Sequence, residues 1–296
     1  MPFIGELSAL LTAFLWSGTS LVFTEATTRV GSIQVNITRM ILALLFLVIT
    51  IALLGVDIEL SASQLHNLAW SGIIGLVIGD SFLFAAFKEI GARVSMLVMS
   101  LVPAMSAVLG VLFLDEQLAV LGILGMVITI AGVAVVVLER QPAAVAKYNI
   151  TARGLLFALL GALGQATGLI FAKFALNEAP IHGMVATVVR IAASVVMFLP
   201  AALAFRWYRN PFRIYAKDPA ALGYTTVGAI LGPYLGITFS LVAIAHTKVA
   251  IATTIMALPP IIMLPLVRVF HHERLTSRAI TGAVIAVLGV ALLFLR

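Results

Sequence analysis

Long apolar runs, each closed by a few charged or turn residues, divide this chain into ten stretches: 4–23, 33–54, 68–88, 93–114, 118–138, 153–175, 183–205, 220–244, 248–270 and 277–295. Each comes close to the ~20 residues a helix needs to cross a ~30 Å hydrocarbon core. The runs are continuous rather than alternating, which excludes a transmembrane β-barrel. Lipid offers the backbone no hydrogen-bond partners, so the spans must be helices. Two connections are longer than the rest. Residues 139–152 form the natural linker between a first unit, 1–138, and a second, 153–296. The stretch from Arg206 to Pro219 mixes Trp207, Tyr208 and Tyr215 with Arg206, Arg209, Arg213 and Lys217, a composition suited to the headgroup level.

The two halves share a register. Gly75, Gly79, Pro103, Glu116, Gly125 and Gly132 recur 157 residues later as Gly232, Gly236, Pro260, Glu273, Gly282 and Gly289. Upstream the offset shrinks: Phe23 matches Phe171 at 148 and Arg39 matches Arg190 at 151. Five spans per half is an odd number, so the second half enters the membrane inverted relative to the first. Inverted repeats place a site near the midplane, between the halves. The fold expected is therefore an all-α integral membrane protein of ten transmembrane helices in two inverted five-helix repeats.

Composition agrees: 62% of residues are hydrophobic and 10% charged, with a mean hydropathy of +1.17, values outside the soluble range. The formal charge of +6 comes from few residues. Most of the bases lie after spans one, three, five, seven and nine, and the opposite side has only Lys173, Lys248 and Arg296. The positive-inside rule then places both termini on the non-cytoplasmic side of a cell (inner) membrane. No basic face or soluble module suits nucleic acid. The chain has no cysteine, so disulfides and thiolate metal sites are excluded. The start, Met-Pro-Phe-Ile-Gly-Glu, lacks a basic n-region and reads as a retained first helix.

Trp16-Ser17-Gly18 in the first span, Arg39 and Arg190 early in the second span of each half, and the duplicated run from Pro103 through Glu116 to Gly125 and Gly132 together resemble the EamA-type branch of the drug/metabolite transporter superfamily. The resemblance covers essentially the whole chain. It implies a secondary transporter, often an exporter of amino acids or related metabolites, with a central cavity between the repeats and no ATP-binding domain. Two positions depart from it: Gly164-Gln165 stands where the first half has Trp16-Ser17, and Asp80 falls where a small or neutral residue is expected.

Asp80 is the most informative residue, because its counterpart is Ile237. It lies about twelve residues into its span, roughly 18 Å along a helix. A carboxylate at that depth costs about 2.5–3.5 kcal/mol to insert and must face a cavity or a cation. It serves either as a protonatable or amine-binding group or as half of an ion pair with Arg39. The inverted repeat puts Arg39 and Arg190 near opposite membrane faces, where snorkelling or pairing with helix ends is the structural reading and a carboxylate or phosphate partner the functional one. Trp16, Ser20, Phe84, Met99, Gln165, Tyr234, Thr238 and Met256 are the candidate cavity lining, an aromatic and methionine wall with scattered polar groups. For each singly, helix packing is the alternative. Pro103, Pro259 and Pro260 break the helical ladder and are candidate hinges. Glu116 and Glu273 read as helix caps.

No metal or cofactor is expected, since His271-His272-Glu273 lacks the spacing of two ligands on one helical turn. The partners expected are a small-molecule substrate, protons and the bilayer, with the single chain able to function as a monomer although a dimer is compatible. The function expected is secondary active export of small metabolites such as amino acids by alternating access, either proton-coupled or by exchange. A passive channel is the rival reading, and an intramembrane enzyme the remote one, because the histidines lie at span ends and leave Asp80 without a catalytic partner.

Overall fold

A computed structural model describes residues 3–137, 150–259, 261–262 and 277–294. Every regular element among them is helical. The first half contains α1 (Ile4–Val30), α2 (Ser32–Leu54), α3 (Ala62–Gly72), α4 (Asp80–Met99), α5 (Val102–Leu114) and α6 (Val120–Val137). The second contains α7 (Ala152–Glu178), α8 (Gly183–Ala204), α9 (Pro211–Lys217), α10 (Pro219–Ala229), α11 (Ile237–His246), α12 (Val249–Met256) and α13 (Ser277–Phe294).

Seven stretches of helix are long and apolar enough to cross a membrane. Over the described residues α6 and α13 are apolar but shorter. Of the expected span 248–270, the described part is α12 followed by a break at Ala257 and Leu258.

Several boundaries differ from the sequence pattern for local reasons. The first span runs to Val30 rather than residue 23, and in these added turns Thr24, Thr27 and Thr28 return their hydroxyls to carbonyls three or four residues back, so that their polar groups are satisfied within the helix. Gly31, at φ 96°, then ends it. The third begins at Ala62 rather than 68, where Ser61 and Gln64 form a reciprocal capping box. Its helix continues past residue 88 and bends at Gly91, whose φ of 75° suits glycine. Arg206 to Pro219 contains a helix, α9, with Asn210 as its cap. There Trp207 stacks on Phe205 at 4.9 Å, and both are exposed. Tyr208 and Tyr215 turn inward to Thr38 and Thr225.

Between α3 and α4 the chain passes through a π segment, Ile73–Gly79, and between α10 and α11 through a second, Ile230–Gly236. They lie 157 residues apart, in the register of the repeat. The Asp80 N–H reaches Gly75 O and the Ile237 N–H reaches Gly232 O, five residues back in each case. The second π segment also contains Pro233, which has no N–H to contribute.

Each of these kinked spans packs on the first span of the other half. A Cβ at Gly164 of α7 would stand 2.6 Å from Gly79 Cα, and one at Gly168 would stand 3.0 Å from Gly75 Cα. In the mirrored contact, Gly236 and Gly232 meet Trp16 and Thr19 of α1. α6 and α13 cross through Gly125 against Gly289 and Gly132 against Gly282, two contacts that exchange under the same offset. Small residues let these backbones approach where apolar packing alone gives no preference over lipid.

Candidate functional site

A cavity of about 110 Å³, partly open to the exterior, lies where the crossed spans meet. α1 contributes Trp16, Thr19, Ser20 and Phe23 to its wall. α4 contributes Asp80, Phe84, Phe87, Met96 and Met99. Gln165 comes from α7, Arg190 from α8, and Thr253 with Met256 from α12.

Asp80 occupies the first turn of α4, immediately after the π segment, and is 4% exposed. One of its oxygens, Oδ2, pairs with Arg39 Nη2, while Oδ1 accepts from Gln165 Nε2. The glycine crossing explains the second contact, since only the close approach of Gly79 and Gly164 brings the adjacent Asp80 and Gln165 together. Arg39 is held on further sides. Its Nε and Nη2 donate to Asn36 Oδ1 at 3.0 and 2.9 Å. Its guanidinium carbon lies 4.6 Å from the Phe84 ring centre and 5.3 Å from that of Phe23, within cation–π range. Asn36 in turn donates from Nδ2 to Leu76 O, inside the π segment, and to Ser81 Oγ, each at 3.1 Å.

Arg190 has no such shell. Its guanidinium lies beside Gly75, at which an added Cβ would stand 3.3 Å from Nη2. It is 2% exposed, yet its Nε has no hydrogen-bond partner among the described residues. The field of Asp80 reaches it, but no ion-pair contact joins the two.

The structure therefore gathers Trp16, Ser20, Asp80, Phe84, Met99, Gln165 and Met256 around one cavity together with both arginines. The placement of Arg39 and Arg190 corrects the expectation that they snorkel near opposite faces, for both are buried and open onto the same space. Tyr234 and Thr238 lie elsewhere. Tyr234 meets Thr50 Oγ1 of α2 through its hydroxyl at 2.8 Å, and Thr238 donates to Tyr234 O while its oxygen lies 3.3 Å from Thr187 Oγ1 of α8. Pro103 sits in the first turn of α5, where its missing N–H costs nothing, directly after a break at Ser100 and Leu101. Pro259 follows the break that ends α12, and Pro260 lies outside the described residues.

Glu116 does not start its own helix but serves another, accepting the Val249 N–H at the start of α12 at 2.9 Å. Glu273 and the two histidines before it lie outside the described residues. Sequence reasoning missed Asn36 altogether. Its signal was an Asn three residues before an Arg on one face of an apolar helix.

The sequence profile of the EamA-like transporter family matches residues 3–138 and again 152–295. The chain belongs to the EamA-like transporter family. It is thus a multi-pass membrane protein of the drug/metabolite transporter type, a class of transporters rather than enzymes. No curated protein matches it. One solved crystal structure, described only as that of a protein, superposes with a TM-score of 0.73 at 19% identity. The match covers 99% of this EamA chain and 96% of the other. At that identity the likeness shows the fold alone.

Proposed function

We propose that this EamA protein is a secondary active transporter that exports small amphiphilic metabolites, amino acids among the candidate classes, by alternating access. The observation that carries the reading is the cavity: aromatic and methionine side chains with a few buried charges, placed where the two halves cross. In this reading the chain has ten spans in two inverted repeats, residues 1–138 and 153–296 joined by 139–152. Support comes from the paired crossings, since each kinked span contacts the first span of the opposite half and the contacts exchange under the repeat. Rocking of one half against the other would open the cavity to each side in turn, with the breaks before Pro103 and Pro259 as hinges. Both termini lie outside the cytoplasm in this arrangement, in a cell (inner) membrane. Two of the three bases assigned to the outer side donate to backbone carbonyls: Lys173 Nζ to Ile244 O and Thr247 O at the end of α11, and Lys248 Nζ to Gln117 O in the α5–α6 connection.

Energy comes from proton coupling or from exchange, and Asp80 is the residue that separates them. Protonating it would release Arg39 and couple proton binding to the packing of α2 on α4. In proteoliposomes with an imposed pH gradient, Asp80→Asn is expected to abolish the pH-dependent component of transport. Uphill export that persists unchanged in this variant would remove Asp80 from the coupling and leave exchange.

A further inference from the structure

Three ionisable side chains line the cavity and are buried: Arg39, Asp80 and Arg190. The first two pair directly, which leaves Arg190 with no ion-pair contact and its Nε without a hydrogen-bond partner among the described residues. A buried cation without a partner is costly, and the fold has kept one at the wall of its central space. We infer that Arg190 is the recognition cation of this cavity and that the cavity takes a monocarboxylate anion with an apolar, ring-sized body. The inference rests on the reading of this cavity as the transport site.

Each part of the ligand follows from a feature of the wall. A guanidinium presents a planar fork of donors that matches a carboxylate in a bidentate pair. One negative charge brings the buried set of two arginines and one aspartate to neutrality. The apolar body follows from Trp16, Phe84, Met99 and Met256, large apolar side chains that line the same wall. An ammonium group has no comparable partner. Both oxygens of Asp80 are engaged, Oδ2 by Arg39 and Oδ1 by Gln165, and no other carboxylate lines the cavity among the described residues. A zwitterion should therefore bind more weakly than the acid that lacks its amine.

Binding can be read on the purified full chain in micelles by quenching of tryptophan fluorescence, since Trp16 lines the cavity whereas Trp70 and Trp207 are exposed on the outer surface. The probes are 3-phenylpropionate, phenylalanine, 3-phenylpropylamine and inorganic phosphate. Saturable quenching is expected with 3-phenylpropionate, weaker quenching with phenylalanine, and none with the amine. Arg190→Met should weaken 3-phenylpropionate binding about 10- to 100-fold, the value of hydrogen bonds to a charged group. Arg190→Lys, which keeps the charge and loses the fork, should fall between the two.

Arg190→Met should also melt no lower than the parent without ligand, because it removes an unpaired buried charge, and this reports that the variant is folded. The inference is overturned if Arg190→Met binds 3-phenylpropionate as the parent does, if the amine binds as tightly as the acid, or if phosphate displaces the acid at equal concentration. The transport reading fails separately. Proteoliposomes that move none of the organic probes, with Arg190-dependent binding intact, would leave the anion site standing and remove its role in transport.

Discussion

Arg39 and Arg190 are the same residue at matching places in the two halves, and their surroundings differ in three positions: besides the two polar ones, Phe84, which faces the Arg39 guanidinium, has Leu241 as its counterpart. On the first side Asn36 and Asp80 wrap the guanidinium. On the second their counterparts are Thr187 and Ile237. Part of the framework is common to both. Asn36 meets Ser81 just as Thr187 meets Thr238, and those two contacts exchange under the repeat. A threonine is too short to reach the arginine as asparagine does, and an isoleucine offers no charge. The loss of the acid and the amide, together with the exchange of Phe84 for Leu241, converts a closed ion-pair corner into an open one. Symmetry supplies a pair of buried cations, and the neighbours decide which one becomes scaffold and which remains available.

The comparison can be broken most directly at Arg39. Arg39→Met strands Asp80 without its cation and is expected to cost about 3–5 kcal/mol of stability, read as unfolding in micelles. Arg190→Met should cost nothing on the same measurement. If both substitutions destabilise equally, the two corners are not different in kind.

The glycine crossing is the next test. Gly164→Leu places a side chain where a Cβ already lies 2.6 Å from Gly79 Cα, and overpacking of this sort costs about 1–3 kcal/mol. It should also separate Gln165 from Asp80. The matched control is Gly122→Ala, since no atom lies within 4 Å of a Cβ built there. This helix position is expected to gain roughly 0.5–1 kcal/mol. A Gly164→Leu protein with the stability of the parent would show that the close approach of α7 does not hold the site together.

Much of this molecule was readable as a string of letters. Continuous apolar runs determine helices because lipid leaves the backbone no alternative, and Asp80 stands out because a carboxylate in such a run must have a partner. Which helix meets which was not readable. Arg39 and Arg190 were assigned to opposite faces by inversion along single spans, whereas long side chains from α2 and α8 converge on one space. Tyr234 and Thr238 flank Ile237, the counterpart of Asp80, yet neither lines the cavity. Ile237 does line the cavity, but Thr238 follows it directly in α11 and is turned about 100° away, and Tyr234 lies inside the wide turn before it. An added residue rotates everything beyond it by about 100°, and it leaves no mark in composition beyond glycines at Gly75, Gly79, Gly232 and Gly236. Pro233 was the stronger clue, because a proline in mid-helix needs a ladder with a donor to spare.

The two wide turns also carry information about ancestry. A π turn holds one residue more than the α turn it replaces, so two of them in the same register mark the same place in both halves. Ile73–Gly79 and Ile230–Gly236 hold that extra residue at the same place, whereas the residues that distinguish the halves, Asp80 from Ile237 and Asn36 from Thr187, do not match. One wide turn inherited twice is a simpler history than two acquired in register. The wide turn then belonged to the half-length ancestor before the halves diverged, and the acid that closes the Arg39 corner marks where the two copies later parted.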